Sequence, residues 1–251
     1  MDTYIIHTEG LTKSYGDIKS VDTLNLKIAE GEVFGFLGHN GAGKTTTLSM
    51  LTTLITPTSG KATVAGLDLT RKALQIKRLI GYLPENVQLY DTMTGYENLL
   101  YFAKLSEVAK PKEAIDRTVN FLEISSYIHK KMSSMSKGMR QRIGIAQAIL
   151  HEPKVLFLDE PSSGLDPMGM RQLRDIIIRL NTEMGMTIFM NTHLLSEVTA
   201  VCTSIGVLNS GKLIYLASVE DTLKKFKDEQ SLEQIYFSVE RNHETGYVQQ
   251  N

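Results

Sequence analysis

Short apolar runs alternate with segments of helical periodicity along most of the chain, a rhythm typical of α/β proteins. The run Val33–Leu37 is apolar throughout, as expected for a parallel strand that is buried on both faces. Asn209, Ser210 and Gly211 form a predicted turn between two strands that pair in antiparallel fashion. In total the pattern predicts eight strands, over residues 5–9, 23–28, 33–37, 80–83, 154–158, 187–190, 205–208 and 212–216.

The stretch from about residue 86 to about 151 carries only helical patterns. Thr94 is the predicted N-cap of its first helix, Pro111 opens the second, and the third begins near Ser136. Another helix, over about 167–184, separates two of the later strands. We therefore predict one main domain over residues 1–220, with an all-helical insert at about 86–151. Residues 221–251 form a C-terminal extension for which the sequence indicates no role.

The amino-acid composition restricts the class of protein but does not identify its chemistry. The chain has 251 residues, 42% of them hydrophobic and 22% charged, which is typical of a globular protein. Its formal net charge of −1 provides no general attraction to nucleic acid or anionic lipid. No apolar run is long enough to span a bilayer, and the N-terminus lacks the pattern of a signal peptide. With a single cysteine, Cys202, the composition predicts a soluble cytoplasmic protein.

A phosphate-binding loop is predicted directly after the apolar strand at 33–37. Residues 38–45 match the pattern G-x-x-x-x-G-K-[ST], and a helical stretch follows. Glycines let backbone N–H groups point inward at phosphate oxygens, and the positive end of the next helix favours the same anion. Lys44 is the predicted ligand of the β- and γ-phosphates, and Thr45 the predicted Mg²⁺ ligand. The predicted ATP-binding residues of this loop are Gly38, Asn40, Gly41, Ala42, Gly43, Lys44, Thr45 and Thr46.

Two adjacent acids end the apolar run at residues 155–158. A doubly buried strand has reason to finish in carboxylates when its carboxyl end opens onto a polar site. In a nucleotide hydrolase the first acid can hold Mg²⁺ and the second can orient or deprotonate the attacking water. We therefore assign Asp159 to the metal and Glu160 to the water.

Further motifs resemble those of the ATP-binding-cassette (ABC) family, in the family's order. The segment 135–139, which reads M-S-K-G-M, resembles the L-S-G-G-Q signature. The segment 163–166 resembles the loop that links the two ATP sites of a dimer, and His193 resembles the switch histidine that contacts the γ-phosphate. Tyr15 resembles the aromatic residue that stacks on adenine. The resemblance covers about three-quarters of the chain.

This resemblance implies a P-loop NTPase (RecA-like) core with an N-terminal antiparallel β subdomain and an inserted all-helical subdomain. It also implies a dimer of two ATPase subunits, identical or different, in which each ATP lies between one phosphate loop and the opposite signature. Ser136, Gly138 and Asp166 are then expected at the nucleotide of the second subunit. Catalysis is expected from Glu160, His193 and Lys44.

Two departures from the family pattern stand out. Glu85 occupies the position where the family usually has Gln, and we expect its carboxylate to reach Mg²⁺ through water. The signature carries Met135, Lys137 and Met139 in place of Leu, Gly and Gln, and Lys137 is a candidate extra cation near the partner's γ-phosphate.

The segment from 82 to 101 most resembles subunits of exporter-type systems, which carry drugs, lipids, polysaccharides or sodium or serve copper-site maturation. The implied function is ATP hydrolysis that powers a separate integral-membrane permease, with this subunit peripheral on the inner face of the cell membrane. One alternative is a cassette ATPase that moves no substrate, acting in iron–sulfur assembly, cell division or lipoprotein release. A nucleic-acid machine is disfavoured, because the chain has one phosphate loop and no basic surplus.

Overall fold

A computed structural model of the chain describes residues 4–225 and residue 237. The strands, in chain order, are β1 (Tyr4–Tyr15), β2 (Ile18–Ala29), β3 (Val33–Leu37), β4 (Ser59–Val64), β5 (Leu67–Asp68), β6 (Ile80–Leu83), β7 (Val155–Asp159), β8 (Thr187–Thr192), β9 (Ser204–Asn209) and β10 (Lys212–Ser218). The helices are α1 (Lys44–Leu51), α2 (Ala73–Lys77), α3 (Gly95–Leu105), α4 (Pro111–Phe121), α5 (Lys137–Ile149), α6 (Pro167–Met184), α7 (Leu195–Val201) and α8 (Val219–Lys225), with a 3₁₀ turn at Met132–Ser134.

The central sheet has six strands in the order β10-β9-β3-β8-β7-β6. Only the β9–β10 pair is antiparallel, and the other pairs are parallel. Every residue of β3, β7 and β8 is buried, which explains why these strands read as continuous apolar runs. Because β3, β7 and β8 run parallel, their carboxyl ends meet at one edge of the sheet, where α/β proteins bind ligands.

The two faces of this sheet pack against different layers. Phe34, Phe36 and Phe189 lie on one face, with ring centroids 5.3–6.0 Å apart, in a core shared with α1 and the second sheet. The second sheet is antiparallel, with strand order β2-β1-β4-β5. Alternate residues of the central strands, including Leu156 and Ile188, point to a second core, which also contains residues of α3, α4, α5, α6 and α7. This is the predicted P-loop NTPase architecture with its antiparallel β subdomain.

Helices α3, α4 and α5 and the 3₁₀ turn lie between β6 and β7 in the chain, as the pattern predicts. Thr94 is the N-cap of α3: its hydroxyl accepts from the Glu97 N–H at 3.1 Å, and the Glu97 carboxylate accepts from the Thr94 N–H at 2.7 Å. Across residues 4–225 and at 237, no helix is both long and apolar enough to cross a bilayer.

The predicted strands at 5–9 and 23–28 are shorter than β1 and β2, which together make one long hairpin. The extra residues include the buried apolar Leu11 and Val21, but register shifts in the β1–β2 pairing interrupt the apolar alternation that marks a strand. Elements β4, β5 and α2 were also not predicted, because they are short and largely polar. The predicted extension over 221–251 lies mostly outside the described residues.

Candidate active site

The loop at residues 38–43 takes its shape from glycine. Gly41 and Gly43 have φ angles of +83° and +105°, a region that side chains disfavour. A Cβ on Gly43 would collide with the backbone oxygen of Ser20, and a Cβ on Gly38 with that of Leu208. The loop leads into α1, whose N-cap is Gly43 and has no side-chain cap. The first N–H groups of α1 are therefore left for an anion.

The loop borders a cleft of about 350 Å³ at the carboxyl edge of the central sheet. Residues from five separate parts of the chain converge on it. Its lining consists of Ser20, His39, Asn40, Gly41, Gly43, Lys44, Thr45, Thr46, Glu85, Glu160 and His193. The structure thus brings most of the phosphate loop together with Glu85, Glu160 and His193, three residues that are distant from the loop in sequence.

Lys44 lies inside the loop rather than in solvent. It is 5% exposed, and its ammonium donates to the backbone oxygens of Gly38 at 2.6 Å and His39 at 3.2 Å. The Lys44 Nζ atom also lies 3.6 Å from Oε1 of Glu160. The loop therefore holds a positive charge at the position where the predicted phosphates would enter.

Glu160 has a short contact with each of two cleft residues, Lys44 and His193. It follows β7 directly, and its φ of +47° lies in the left-handed region, a strain that persists where the surroundings enforce it, often at functional sites. Its Oε2 atom is 2.8 Å from Nδ1 of His193, and its side chain is 12% exposed against 52% for His193. In the tautomer that carries its proton on Nδ1, His193 donates this hydrogen bond to the carboxylate. Glu160 is thereby held between Lys44 and His193.

Asp159 is buried beside this cleft but is not among the residues that line it. Burial raises the pKa of its carboxyl group, whereas a hydrogen bond from Asn191 lowers it. The neighbouring carboxylates of Glu160 and Glu85 raise that pKa further, and Lys44 lowers it. Ionisation of Asp159 is therefore unfavourable unless a cation lies nearby. Its carboxylate oxygens are the kind of hard ligand that Mg²⁺ prefers.

Three predicted nucleotide contacts lie elsewhere in the subunit. Ser136 and Asp166 serve as N-caps, accepting from the Met139 N–H at 3.3 Å and the Gly169 N–H at 2.7 Å. Gly138 is the second residue of α5 and lies beside Leu165. None of the three lines the cleft of its own subunit. Their proposed role at a second subunit's ATP remains a prediction.

Tyr15 and Lys137 also lie away from this cleft. The Tyr15 ring is 54% exposed with the Lys13 ammonium 5.2 Å from its centroid, so its adenine contact stays a prediction. The Lys137 amine lies close to Gly164 of the same subunit. This contact connects the signature segment 135–139 with the loop at 163–166.

Three residues at the site, Ser20, His39 and Asn191, are not among the predicted site residues. The Ser20 hydroxyl lies 2.8 Å from that of Thr46 and lines the cleft, a contact between distant segments that no sequence pattern marks. Asn191, which donates to Asp159, is a polar residue within the otherwise apolar stretch 188–191, and that break in the pattern is a signal that could have found it.

The buried carboxylate of Asp159 leads to a stability prediction. A raised pKa means that the folded state binds the proton more tightly than the unfolded state, so the stabilising contribution exists at low pH and is lost as pH rises through the folded pKa. We expect Asp159→Asn, without nucleotide or metal, to melt above the wild type at pH 7, by about 2–4 °C for each kcal/mol relieved. The difference should shrink as the pH is lowered. An Asp159→Asn melting curve below the wild type at pH 7 would contradict this account of the acid.

Comparison with known proteins agrees with this geometry. Residues 21–163 match the family model described as "ABC transporter". The bacitracin transport ATP-binding protein BcrA of Bacillus licheniformis is 44% identical over 84% of this chain and 68% of its own length. The uncharacterized ABC transporter ATP-binding protein YhcH of Bacillus subtilis (strain 168) is 42% identical over 86% of this chain and 71% of its own.

Solved structures share the fold. The cassette MJ0796, a dimer in a post-hydrolysis state bound to ADP and Pi, superposes with a TM-score of 0.77 at 23% identity, covering 85% of this chain and 98% of its own. CbiO1 of Clostridium perfringens, part of the ABC transporter complex cbiONQ, reaches a TM-score of 0.81 at 26% identity, covering 98% and 99%. The chain therefore belongs to the ABC transporter family, as an ATP-binding subunit that hydrolyses ATP.

Proposed function

We propose that this chain powers an exporter by hydrolysing ATP in the cleft beside Lys44 and Glu160, as one of two ATPase subunits attached to a separate membrane permease. The direction of transport is supported by two relatives named as bacitracin transport ATP-binding proteins, from Bacillus licheniformis and Enterococcus faecalis, at 44% and 38% identity. Drug-like or peptide antibiotics are thus the first class of cargo to test. The membrane subunit would select the cargo.

The observation that carries this proposal is the position of Glu160 between two partners in one cleft. In the proposed mechanism its carboxylate accepts a proton from the attacking water, and Lys44 and the loop N–H groups neutralise the phosphate charge. His193, held by its hydrogen bond to Glu160, contacts the γ-phosphate. These roles need the three groups close together, and Glu160 lies at a hydrogen-bond distance of 2.8 Å from His193 and at an ion-pair distance of 3.6 Å from Lys44.

The proposed cofactor of ATP hydrolysis is Mg²⁺. Thr45, Asp159 and Glu85 would hold it, directly or through water, since they supply hydroxyl and carboxylate oxygens: Thr45 and Glu85 line the cleft, and Asp159 is close enough to Glu85 for the two carboxylates to interact. Bound there, the cation supplies charge neutralisation on the β- and γ-phosphate oxygens. Ser163, in the loop at 163–166, donates to Glu85 at 3.2 Å. That contact orients the acid that replaces the family's usual Gln.

The second ATPase subunit is proposed to complete each site. Ser136, Gly138 and Asp166 would face the nucleotide bound by the other subunit, and Tyr15 would stack on adenine. Since Ser136 caps a 13-residue helix, the N–H groups of its first turn can address a phosphate.

The permease is proposed to dock on the helical insert beside Glu85. Exposed apolar side chains cluster there: Tyr90 is 48% exposed, Tyr101 42% and Leu105 66%, and the Tyr90 and Tyr101 rings are 5.2 Å apart. Contiguous exposed aromatic surface is typical of a protein interface. Such docking would place the subunit peripherally on the inner face of the cell membrane.

Affinity purification tests the transporter assignment. Tagged Glu160→Gln is captured from detergent-solubilised membranes with ATP and Mg²⁺, and its partners are identified by mass spectrometry. We expect a stoichiometric partner with several membrane-spanning helices. The control Glu160→Gln/Tyr101→Asp should lose that partner but keep its ATP affinity. Recovery of soluble partners alone would contradict the proposal and favour a cassette ATPase that moves no substrate.

A further inference from the structure

Asn191 is a polar side chain at a position that the fold would otherwise fill with an apolar one. It lies near the end of β8, a strand whose six residues are all buried, and it is 0% exposed. Its backbone register sets it opposite Asp159 of β7 and Phe36 of β3. A buried amide is unfavourable unless its hydrogen bonds are made, so its presence in this strand needs a specific reason.

The contacts of Asn191 reach both acids of the site. Its side-chain nitrogen donates to Oδ1 of Asp159 at 3.0 Å, and its backbone oxygen accepts from the Glu160 N–H at 3.0 Å. Within residues 4–225 and 237, its own Oδ1 atom is buried and has no hydrogen-bond partner. His193, which contacts Glu160, follows two residues later. A residue that served packing alone would have no reason to bury an unpaired oxygen next to a carboxylate.

The chemical type of the side chain is also informative. A lysine or arginine at this position would orient Asp159, but its charge would compete with a divalent cation for the carboxylate. An aspartate would repel Asp159, and a valine or leucine would leave it without a donor. A neutral amide fixes one carboxylate oxygen and leaves the negative charge available to a metal, which is how second-layer partners orient metal ligands.

We propose that Asn191 is a positioning residue for the divalent cation, holding Asp159 in the orientation that binds it. This inference rests on the proposed metal role of Asp159. Through Asn191, strand β8 contributes to cation affinity. This role is separate from the proposed contact of His193 with the γ-phosphate. The backbone oxygen of Asn191 also accepts a hydrogen bond from the Glu160 N–H. Asn191 therefore contacts both Asp159, the acid proposed to hold the metal, and Glu160, the acid proposed for catalysis.

Asn191→Leu in the full chain tests the proposal, because leucine is close to asparagine in size and has no donor. Binding of Mn²⁺ in the presence of ADP is followed by electron paramagnetic resonance, and binding of ADP alone is measured in EDTA. We expect Mn²⁺ affinity to fall by roughly 10- to 100-fold, the usual effect of removing an outer partner of a metal ligand. ADP affinity in EDTA should stay within about twofold of wild type, an outcome that a general loss of structure would not give. Wild-type Mn²⁺ affinity would overturn the proposal.

Asn98→Leu is the matched control. Asn98 is also 0% exposed and lies in the helical insert, away from the cleft. Its side-chain amide forms hydrogen bonds of 2.8–3.1 Å with backbone atoms of Tyr90 and Thr94. This variant should melt earlier yet bind Mn²⁺ as the wild type does. If Asn191→Leu does not fold, Asn191→Ser replaces it, because the shorter side chain cannot span the same distance. Its Mn²⁺ affinity should also fall, and an unchanged value would overturn the proposal.

Asp159→Asn separates this inference from the proposed function. If that variant loses Mn²⁺ affinity while Asn191→Leu does not, Asn191 has no positioning role and the metal site stands. If Asp159→Asn binds Mn²⁺ as the wild type does, the metal site itself is wrongly assigned, and the inference about Asn191 is overturned with it.

Discussion

Glu160→Gln is expected to lower steady-state ATP turnover by about two to four orders of magnitude, the usual contribution of a positioned general base. Glutamine preserves the size of the side chain and can still contact His193 and Lys44, but it cannot accept the proton of the attacking water. ATP affinity should remain close to that of the wild type, because the lysine and the loop N–H groups are unchanged. Phosphate release and equilibrium ATP binding, measured on the same preparation, separate the two effects.

Glu152→Gln is the control for that substitution. Its side chain is 66% exposed and pairs with Arg117 at 2.8 Å, outside the cleft. Exposed ion pairs contribute little to the free energy of unfolding, so this variant should fold as the wild type does. Because Glu152 lies outside the cleft, it should also hydrolyse ATP at the wild-type rate. Turnover of Glu160→Gln within threefold of wild type would show that another group activates the water.

Lys44→Ala should weaken ATP affinity by about 100-fold or more, since charge-assisted contacts to phosphate are among the strong hydrogen bonds. Lys44 is 5% exposed, and its ammonium is already held inside the loop by the backbone oxygens of Gly38 and His39. Its loss therefore removes both a phosphate contact and an internal support of the loop. Equilibrium binding of a fluorescent ATP analogue measures the change.

Lys212→Ala tests whether any lysine loss has this effect. Lys212 is 61% exposed and lies 4.0 Å from Asp22, so its removal should leave ATP affinity unchanged. Retention of micromolar ATP binding by Lys44→Ala would contradict the role assigned to Lys44. Melting curves of both variants without nucleotide show whether the loop alone has been disturbed.

Much of the fold was predictable because its signals are local. Helix α6 has the predicted bounds, since Pro167 opens it and Gly185, with φ +64°, ends it. Thr94 caps α3 through Glu97, three residues away. The buried strands β3 and β7 are marked by apolar runs that end in the chemistry of the site. In each case the residues that decide the structure are neighbours in sequence.

What the sequence could not predict depends on contacts between distant residues. The left-handed backbone of Glu160 and the bond between Asn191 and Asp159 arise only when β7 and β8 lie side by side. The contact of Ser20 with Thr46 likewise requires β2 to pass beside α1. Motifs identify which residues are chemically suited to a site, but the sheet determines which of them meet.

The mass of Glu160→Gln in solution with ATP and Mg²⁺, measured by light scattering after size exclusion, shows whether two subunits share the ATP. If ATP is sandwiched between two subunits and trapped when hydrolysis is blocked, the mass should be twice the 28.0 kDa of one chain. Adding Ser136→Glu, which places a negative charge at the signature, should return the mass to that of one chain. A protein that binds ATP with wild-type affinity and stays at 28.0 kDa would contradict a site shared between two copies of this chain.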